Sequence, residues 1–175
     1  MIQILTIYCS LFFQEKYNEF IELLNFSSLT CSKCGFRGQC SRHAFYKRKI
    51  ITEHGKEDIR ILRVICSHCN GTHALLPKWI VPYSQHLLAD QIEILRAFES
   101  GTSPHRIKPS NPEIDTWGVI YIIKQFKRHW EQRLLSIKAS VFDEIDKLIS
   151  SCFTSYKRQF MQIKRTRNAL FIPTT

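Results

Sequence analysis

The sequence predicts an α+β protein in which a cysteine-bearing β-hairpin precedes a mainly helical half. Two strand-like segments, 45–52 and 58–65, lie between two Cys-x-x-Cys pairs, and Gly55 supplies backbone freedom to the turn at 53–57. After residue 84 the apolar residues recur at helical spacing instead. Hydrophobic residues make up 44% of the 175 residues and charged residues 23%, so we expect a folded rather than a disordered chain.

Clusters of Gly and Pro divide the chain into four predicted segments. They are an N-terminal strand and helix segment (1–30), a cysteine-bearing ribbon (31–83), a helix-turn-helix-like region (84–139), and C-terminal helices with a basic tail (140–175). In the first segment, apolar residues on one face predict a helix over 16–25.

Three helices are expected in the third segment. Ser84 would cap the first of them, which would end at Gly101. A short second helix is expected over 103–108. Asn111 followed by Pro112 predicts the start of a longer third helix over 113–135. This order of helices is typical of a DNA-binding helix-turn-helix, whose last helix enters the major groove.

Positive charge is concentrated in two blocks. The formal net charge is +10, from 25 Lys and Arg against 15 Asp and Glu. Residues 31–65 hold nine basic and three acidic side chains, and residues 151–175 hold five basic and no acidic ones. Such blocks favour a polyanionic partner, and nucleic acid before a membrane surface.

The use of cysteine points to metal binding rather than to disulfides. The apolar run over 1–13 is too short and too interrupted to span a bilayer, and no basic segment precedes it, so we expect no signal peptide. A cytoplasmic location follows from that expectation. Reduced thiols in such a compartment are typical metal ligands, and the chain has seven cysteines.

The two cysteine pairs have the spacing of a four-cysteine zinc site. Cys31 and Cys34 form the first pair, Cys66 and Cys69 the second, and the hairpin between them would bring the pairs together. Gly35 and Asn70, which follow the pairs, tolerate the left-handed backbone that such a turn tends to need. Four thiolates leave no coordination position for water, so we expect a structural Zn²⁺ and no enzymatic activity.

The ligand set is not fully fixed by the sequence. Cys40 and His43 would complete a local site with the first pair, although the second pair would then have no role. His73 lies near the second pair and is a further candidate. The sequence leaves open whether any of these three residues contributes to metal binding.

Three strings carry a family resemblance: C-S-K-C-G from Cys31, R-H-A-F-Y-K-R from Arg42, and R-V-I-C-S-H-C-N-G-T-H-A-L-L-P from Arg63. Together they resemble the zinc-ribbon openings of bacterial insertion-sequence transposases. They are more closely similar to a bacterial family catalogued as domain of unknown function 6431. The resemblance implies a transposon-associated DNA-binding protein whose two cysteine pairs bind zinc. We expect no transposase catalysis, since the chain continues into no large catalytic domain with dispersed carboxylates.

Candidate nucleic-acid contacts fall into three groups. The hairpin group is Arg42, Lys47, Arg48, Lys49, Arg60 and Arg63. The helical group is Lys124, Gln125 and Arg128, which suit phosphate contact and hydrogen bonding to base edges. The C-terminal group is Lys157, Arg158, Lys164, Arg165 and Arg167. The alternative for the hairpin and helical groups is an ordinary solvated surface. For the C-terminal group the alternatives are a helix whose aromatic residues belong to the core, or a helix at a membrane surface.

These observations favour a non-enzymatic, zinc-dependent protein that binds double-stranded DNA and is associated with mobile elements. Charge alone does not distinguish RNA from DNA. The alternative is an adaptor whose ribbon docks on a transposase or on a transcription complex. The sequence specifies neither a target site nor an oligomeric state.

Overall fold

A long β-hairpin is the central element of the computed structural model, which describes residues 2–4 and 13–156. The strands are β1 (Ile2–Ile4), β2 (Cys40–Thr52), β3 (Gly55–Cys66) and β4 (Thr72–Pro77). Strands β2, β3 and β4 are antiparallel neighbours, and β1 lies parallel to β4 at the edge of the sheet. The helices that accompany this sheet confirm the predicted α+β class.

The hairpin is longer and its turn tighter than the sequence predicts. Only Glu53 and His54 separate the paired residues Thr52 and Gly55, where a turn over 53–57 was expected. Gly55 has a φ of +112°, which an L side chain rarely adopts, so the reversal fits into two residues. Strand β4 was not predicted, because short apolar runs such as T-H-A-L-L-P have no distinctive periodicity.

Helix α1 (Phe13–Leu23) replaces the helix predicted over 16–25 and covers the place where β3 and β4 separate. These two strands pair only through residues 63–65 and 72–74. Beyond that point the Tyr17 hydroxyl accepts a hydrogen bond from the Leu62 N–H and donates one to the Leu75 carbonyl, both at 2.9 Å. Burial raises the pKa of Tyr17 to about 12, because it disfavours the phenolate. A tyrosine hydroxyl therefore supplies the connection that the two backbones no longer make.

The C-terminal half is helical, with a second hydrophobic core. Its helices are α2 (Leu88–Glu99), α3 (Thr116–His129), α4 (Glu131–Ser136) and α5 (Ile145–Tyr156). Val119, Ile122, Ile123 and Phe126 of α3 are buried in this core, as their spacing predicts. No helix in the described ranges has both the length and the apolar character needed to cross a bilayer.

The predicted start of α2 was wrong by three residues, because the N-cap is Leu87 and not Ser84. The helix begins at Leu88, and the Ser84 hydroxyl oxygen instead accepts hydrogen bonds from the His86 N–H and the Gln91 side chain. Ser84 therefore stabilises the turn that precedes the helix. The predicted end is confirmed, because Gly101 has a φ of +92° and donates to the Phe98 carbonyl.

The long third helix is divided into two. Asp115 caps α3 by accepting from the Gly118 N–H at 2.7 Å, while Asn111 accepts from the Glu113 N–H and organises an earlier turn. The helix predicted to reach residue 135 is interrupted at Trp130, whose φ of −121° and ψ of −34° are not helical. Asn111 and Pro112 therefore mark a turn and not the start of the helix. The side chain that caps α3 is that of Asp115, four residues after Asn111.

The predicted short helix over 103–108 is a single 3-10 turn, Pro104–Arg106. Within residues 84–139, a single turn therefore lies between α2 and α3, at the position where the sequence predicts a short helix. Residues 107–115 then lead from this turn to α3, a longer connection than a helix-turn-helix usually has. The helical half is confirmed, and its middle element is shorter than predicted.

Arg48 joins the hairpin to the segment that leads into α2. Its guanidinium donates to the carbonyls of Val81 and Ser84, both at 2.6 Å. Three residues further along β2, the Ile51 N–H donates to the Gln85 carbonyl. These bonds fix the path of the chain between the sheet and the helices.

Tyr17→Phe should lower the free energy of unfolding by about 1–3 kcal/mol, because it leaves the buried Leu62 N–H without its acceptor. Urea unfolding followed by circular dichroism measures the change. Tyr121→Phe is the matched control, since Tyr121 is 46% exposed. Equal unfolding free energies for the two variants would contradict the bridging role.

Candidate metal centre

Four cysteine sulfurs converge at the open end of the hairpin. The Sγ atoms of Cys31, Cys34, Cys66 and Cys69 all lie within 4.8 Å of one another. The Cys31–Cys69 and Cys34–Cys66 sulfur pairs are 3.6 and 3.7 Å apart. Four sulfurs at the usual metal–sulfur distance around a tetrahedral Zn²⁺ would be about 3.8 Å apart. The four cysteines could therefore bind a metal ion, and their spacing fits one of this size.

The first pair lies in a tight backbone loop. The Gly35 N–H donates to the Cys31 carbonyl at 2.8 Å, and the Cys31 N–H donates to the Phe36 carbonyl at 2.8 Å. Gly35 has a φ of +81°, which confirms the left-handed backbone expected after the pair. The loop directs both thiols of the pair to the same side.

The second pair repeats this loop residue for residue. The Asn70 N–H donates to the Cys66 carbonyl at 2.8 Å, and the Cys66 N–H donates to the Gly71 carbonyl at 2.9 Å. Asn70 has a φ of +52°, again as expected. We call these two loops, residues 31–36 and 66–71, the metal knuckles. Their common geometry explains why two distant segments present four equivalent sulfurs.

Strand pairing brings the knuckles together. The first knuckle is followed by β2, the second begins at the last residue of β3, and Cys40 is the register partner of Cys66. The Ser67 N–H also donates to the Gln39 carbonyl at 2.8 Å. The hairpin thus brings two sequence-distant pairs to one point, as the sequence predicts.

The thiols interact strongly with one another. At Cys66 burial disfavours the thiolate, but the Cys69 N–H and the thiols of Cys31 and Cys34 favour it, and its pKa is lowered to about 7. At Cys34 the Phe36 N–H favours the thiolate, yet burial and the neighbouring thiols outweigh it and raise the pKa to about 12. A negative charge on one of the four sulfurs therefore opposes the ionisation of another thiol. A divalent cation would stabilise all four thiolates together.

His73 touches the cluster from outside it. Its Nε2 lies 3.2 Å from the Cys31 sulfur, and the residue is only 2% exposed. Burial and the positive charge of Lys33 lower the pKa of His73 to about 4, so the ring is neutral near pH 7. A neutral ring can donate one N–H to a thiolate, the usual way in which neighbouring side chains orient metal ligands.

Cys40 and His43, the other two residues considered as metal ligands, lie outside the cluster of four sulfurs. Cys40 is buried beside Cys66, and burial followed by the charge of Cys66 raises the pKa of Cys40 to about 11. His43 is exposed at a β-bulge, where the register of β2 shifts between Arg42 and Ala44. The group of ligand atoms that the structure gathers contains neither of them.

Gly71 has a role that the sequence analysis missed. A Cβ at this position would lie 3.0 Å from Cδ of Lys33, 3.1 Å from the Cys69 sulfur and 3.5 Å from Nε2 of His73. A larger residue would therefore push against a candidate ligand and its neighbour. The C-N-G string that follows the second pair was the available signal, because adjacent Asn and Gly mark a crowded turn.

The hairpin arginines are partly engaged in the fold. Arg42 donates to the Ile21 carbonyl at 3.2 Å, and Arg48 donates to two carbonyls as described above. The Arg63 guanidinium lies 5.2 Å from the Tyr46 ring centroid. Contact of these three residues with nucleic acid stays a prediction, and each of them also has a structural partner.

Lys47 and Arg60 are directly opposite each other on β2 and β3, and both are exposed. Neither forms a salt bridge with a residue of the described ranges. The neighbouring Lys49 pairs with Asp58 at 3.8 Å. The sheet therefore presents two cations side by side near its exposed Phe45, over whose ring Arg60 lies at 5.2 Å.

The three residues of the helical group differ in their exposure. Lys124 and Arg128 are exposed on α3, on one stripe with Trp117 and Tyr121, which are 76% and 46% exposed. Gln125 is only partly exposed and, like Tyr121, lines a cavity of about 240 Å³ between residues 78–84 and the C-terminal helices. The C-terminal candidates Lys157, Arg158, Lys164, Arg165 and Arg167 lie outside the described residues.

Comparison with known proteins supports part of the expected resemblance. Residues 31–117 match the model of a family described as Domain of unknown function (DUF6431). The match spans just under half of the chain and includes both metal knuckles, the hairpin and α2. No curated protein and no solved structure matches the chain. Together with the cysteine cluster, the match fits a zinc-ribbon-like family, and the relation to transposases stays a prediction.

Cys66→Ser should abolish stoichiometric metal binding and lower Tm by about 10 °C or more, because three thiolates would remain around a buried site. Elemental analysis and thermal unfolding measure the two effects. Cys152→Ser is the control, since Cys152 lies on α5 outside the cluster. Full metal content with an unchanged Tm in Cys66→Ser would remove that residue from the ligand set.

Proposed function

We propose that this chain is a zinc-stabilised, non-enzymatic protein that binds double-stranded DNA. The observation that carries the proposal is the exposed cross-strand pair Lys47 and Arg60. Like charges directly opposite each other destabilise a sheet, and no carboxylate of the described residues neutralises this pair. Arg60 also lies over the Phe45 ring, but only a polyanion would neutralise the two charges, which supports a role of this pair in binding.

Zinc is the metal that we propose for the knuckles. Four soft thiolates in a tetrahedron favour Zn²⁺ over the harder divalent cations, and they leave no position for a substrate. In this proposal Cys31, Cys34, Cys66 and Cys69 hold the ion, and the ion holds the open end of the hairpin. The basic strands are thereby kept in register, so zinc acts on binding through the shape of the protein.

The exposed stripe of α3 is the second proposed contact. Helix α3 has no acidic residue, and its exposed positions include Lys124 and Arg128. Cations in a last turn also interact favourably with the helix dipole, which is their ordinary role. Trp117 and Tyr121 lie on the same stripe, and although the Tyr121 ring contacts His86, the exposure of both aromatic side chains supports a binding surface.

A second candidate function rests on Trp117, which is 76% exposed. Large exposed aromatic side chains are typical of protein interfaces. This favours, as the alternative, an adaptor that docks on a transposase or a transcription complex. An association with mobile elements is part of either proposal, and its support is the resemblance of the cysteine-bearing strings to transposase openings.

The double variant Lys47→Gln/Arg60→Gln should bind a 20-base-pair duplex about 5- to 50-fold more weakly than the native protein, because two phosphate contacts are lost. Fluorescence anisotropy over a salt series measures this loss. The slope of log affinity against log salt should also fall by about 2.

Lys16→Gln/Lys138→Gln is the control, because it removes the same charge from two exposed sites outside the sheet. An equal loss in both double variants would reduce the effect to net charge. Affinity that does not change with salt would refute the proposed interface.

A further inference from the structure

We propose that Phe36 and His68 form a stacking platform for unpaired bases, so that the metal knuckles bind single-stranded nucleic acid. The inference rests on the proposed function and adds a second contact of different chemistry to it. The two rings come from different knuckles, and their centroids are 3.7 Å apart at an interplanar angle of 18°. They are therefore stacked across the gap between the two halves of the metal centre.

The platform is open to solvent. Phe36 is 49% exposed, and His68 is exposed as well, even though each ring covers one face of the other. Parallel stacking uses only one face of each ring, and both residues stay exposed although they are stacked on each other. A further flat ring can extend such a stack, as bases do on aromatic side chains.

The backbone holds the platform in place. The Phe36 carbonyl accepts from the Cys31 N–H, and His68 lies between the two cysteines of the second knuckle. Both rings thus belong to short loops that end in candidate metal ligands. Little conformational freedom remains for either backbone to lose on binding, which favours affinity.

The surroundings of the platform are basic. Lys33 and Arg37 are exposed on either side of Phe36 in the sequence, and the stem of Lys33 reaches Gly71 of the other knuckle. No acidic residue occurs over 23–52 or 59–89, the two stretches that contain the knuckles. A ligand that combines flat rings with negative charge complements this surface, and nucleic acid has both.

A single strand suits the platform better than a duplex. The bases of a duplex are already stacked on their neighbours and present only their edges in the grooves. Unpaired bases have free faces, and stacking on an aromatic side chain strengthens binding by about 5- to 150-fold per base. The Lys47–Arg60 surface contacts phosphate and has no such preference. The two surfaces can therefore be tested separately.

The test uses the full chain with verified metal content and three fluorescent probes: 12-nucleotide oligo(dT), 12-nucleotide oligo(rU) and a 20-base-pair duplex. Phe36→Leu keeps an apolar cover over the knuckle but removes the ring. It should weaken binding of a single strand about 5- to 150-fold and change duplex affinity less than twofold. The comparison of the dT and rU probes shows whether the strand is DNA or RNA.

Phe142→Leu is the matched control, because Phe142 is an aromatic residue with 54% exposure outside the knuckles. It should leave all three affinities unchanged. A native protein that binds no single strand, or a Phe36→Leu variant with native single-strand affinity, would overturn the inference while the duplex proposal stands. Equal weakening on single strand and duplex would also overturn it. So would displacement of the oligonucleotide by polyglutamate of equal charge.

A second variant covers the case in which Phe36→Leu loses metal. Phe36→Trp keeps a ring at the position and adds a fluorophore to the three native tryptophans. Saturating oligo(dT) or oligo(rU) should quench its emission more than that of the native protein, because stacked bases quench indole. An identical fractional change in both proteins would overturn the platform.

Discussion

The closure of the hairpin's open end by four thiols is the constraint on which the rest of the structure depends. Strands β2 and β3 are paired along their length, and at that end β3 runs directly into one metal knuckle while the other precedes β2 by three residues. Once one of the four neighbouring thiols is ionised the pKa of another is raised, as at Cys34, and a divalent cation among them would stabilise all four thiolates together. The Phe36–His68 stack joins one ring from each knuckle, and the exposed Lys47–Arg60 pair lies further along the same two strands.

The side chains of Tyr17 and Arg48 connect the hairpin to the neighbouring elements. The Tyr17 hydroxyl bridges β3 and β4 where their backbones separate, and so fixes α1 on the sheet. Arg48 holds the segment before α2 through two carbonyls. Arg48 therefore stabilises the fold and also adds to the positive charge of the hairpin. Lys47 and Arg60 are exposed to solvent.

The sequence predicted those features that depend on neighbouring residues. The two cysteine pairs, the left-handed Gly35 and Asn70, and the end of α2 at Gly101 follow from local backbone geometry, and the structure agrees. The break at Trp130, strand β4 and the contact of His73 with Cys31 depend on tertiary packing. Hydrophobic periodicity describes only residues that are near in the chain. It therefore could not predict these three features, which depend on residues far apart in the sequence.

X-ray absorption at the zinc K-edge of the purified protein is the decisive measurement for the proposed four-thiolate zinc site. We expect four sulfur atoms around the ion at about 2.3 Å and no nitrogen or oxygen bound to it. Cys31, Cys34, Cys66 and Cys69 would supply those sulfurs, with His73 only hydrogen-bonded to one of them. A nitrogen at about 2.0 Å, or a bound water oxygen, would contradict the closed four-thiolate site and with it the structural role of the metal.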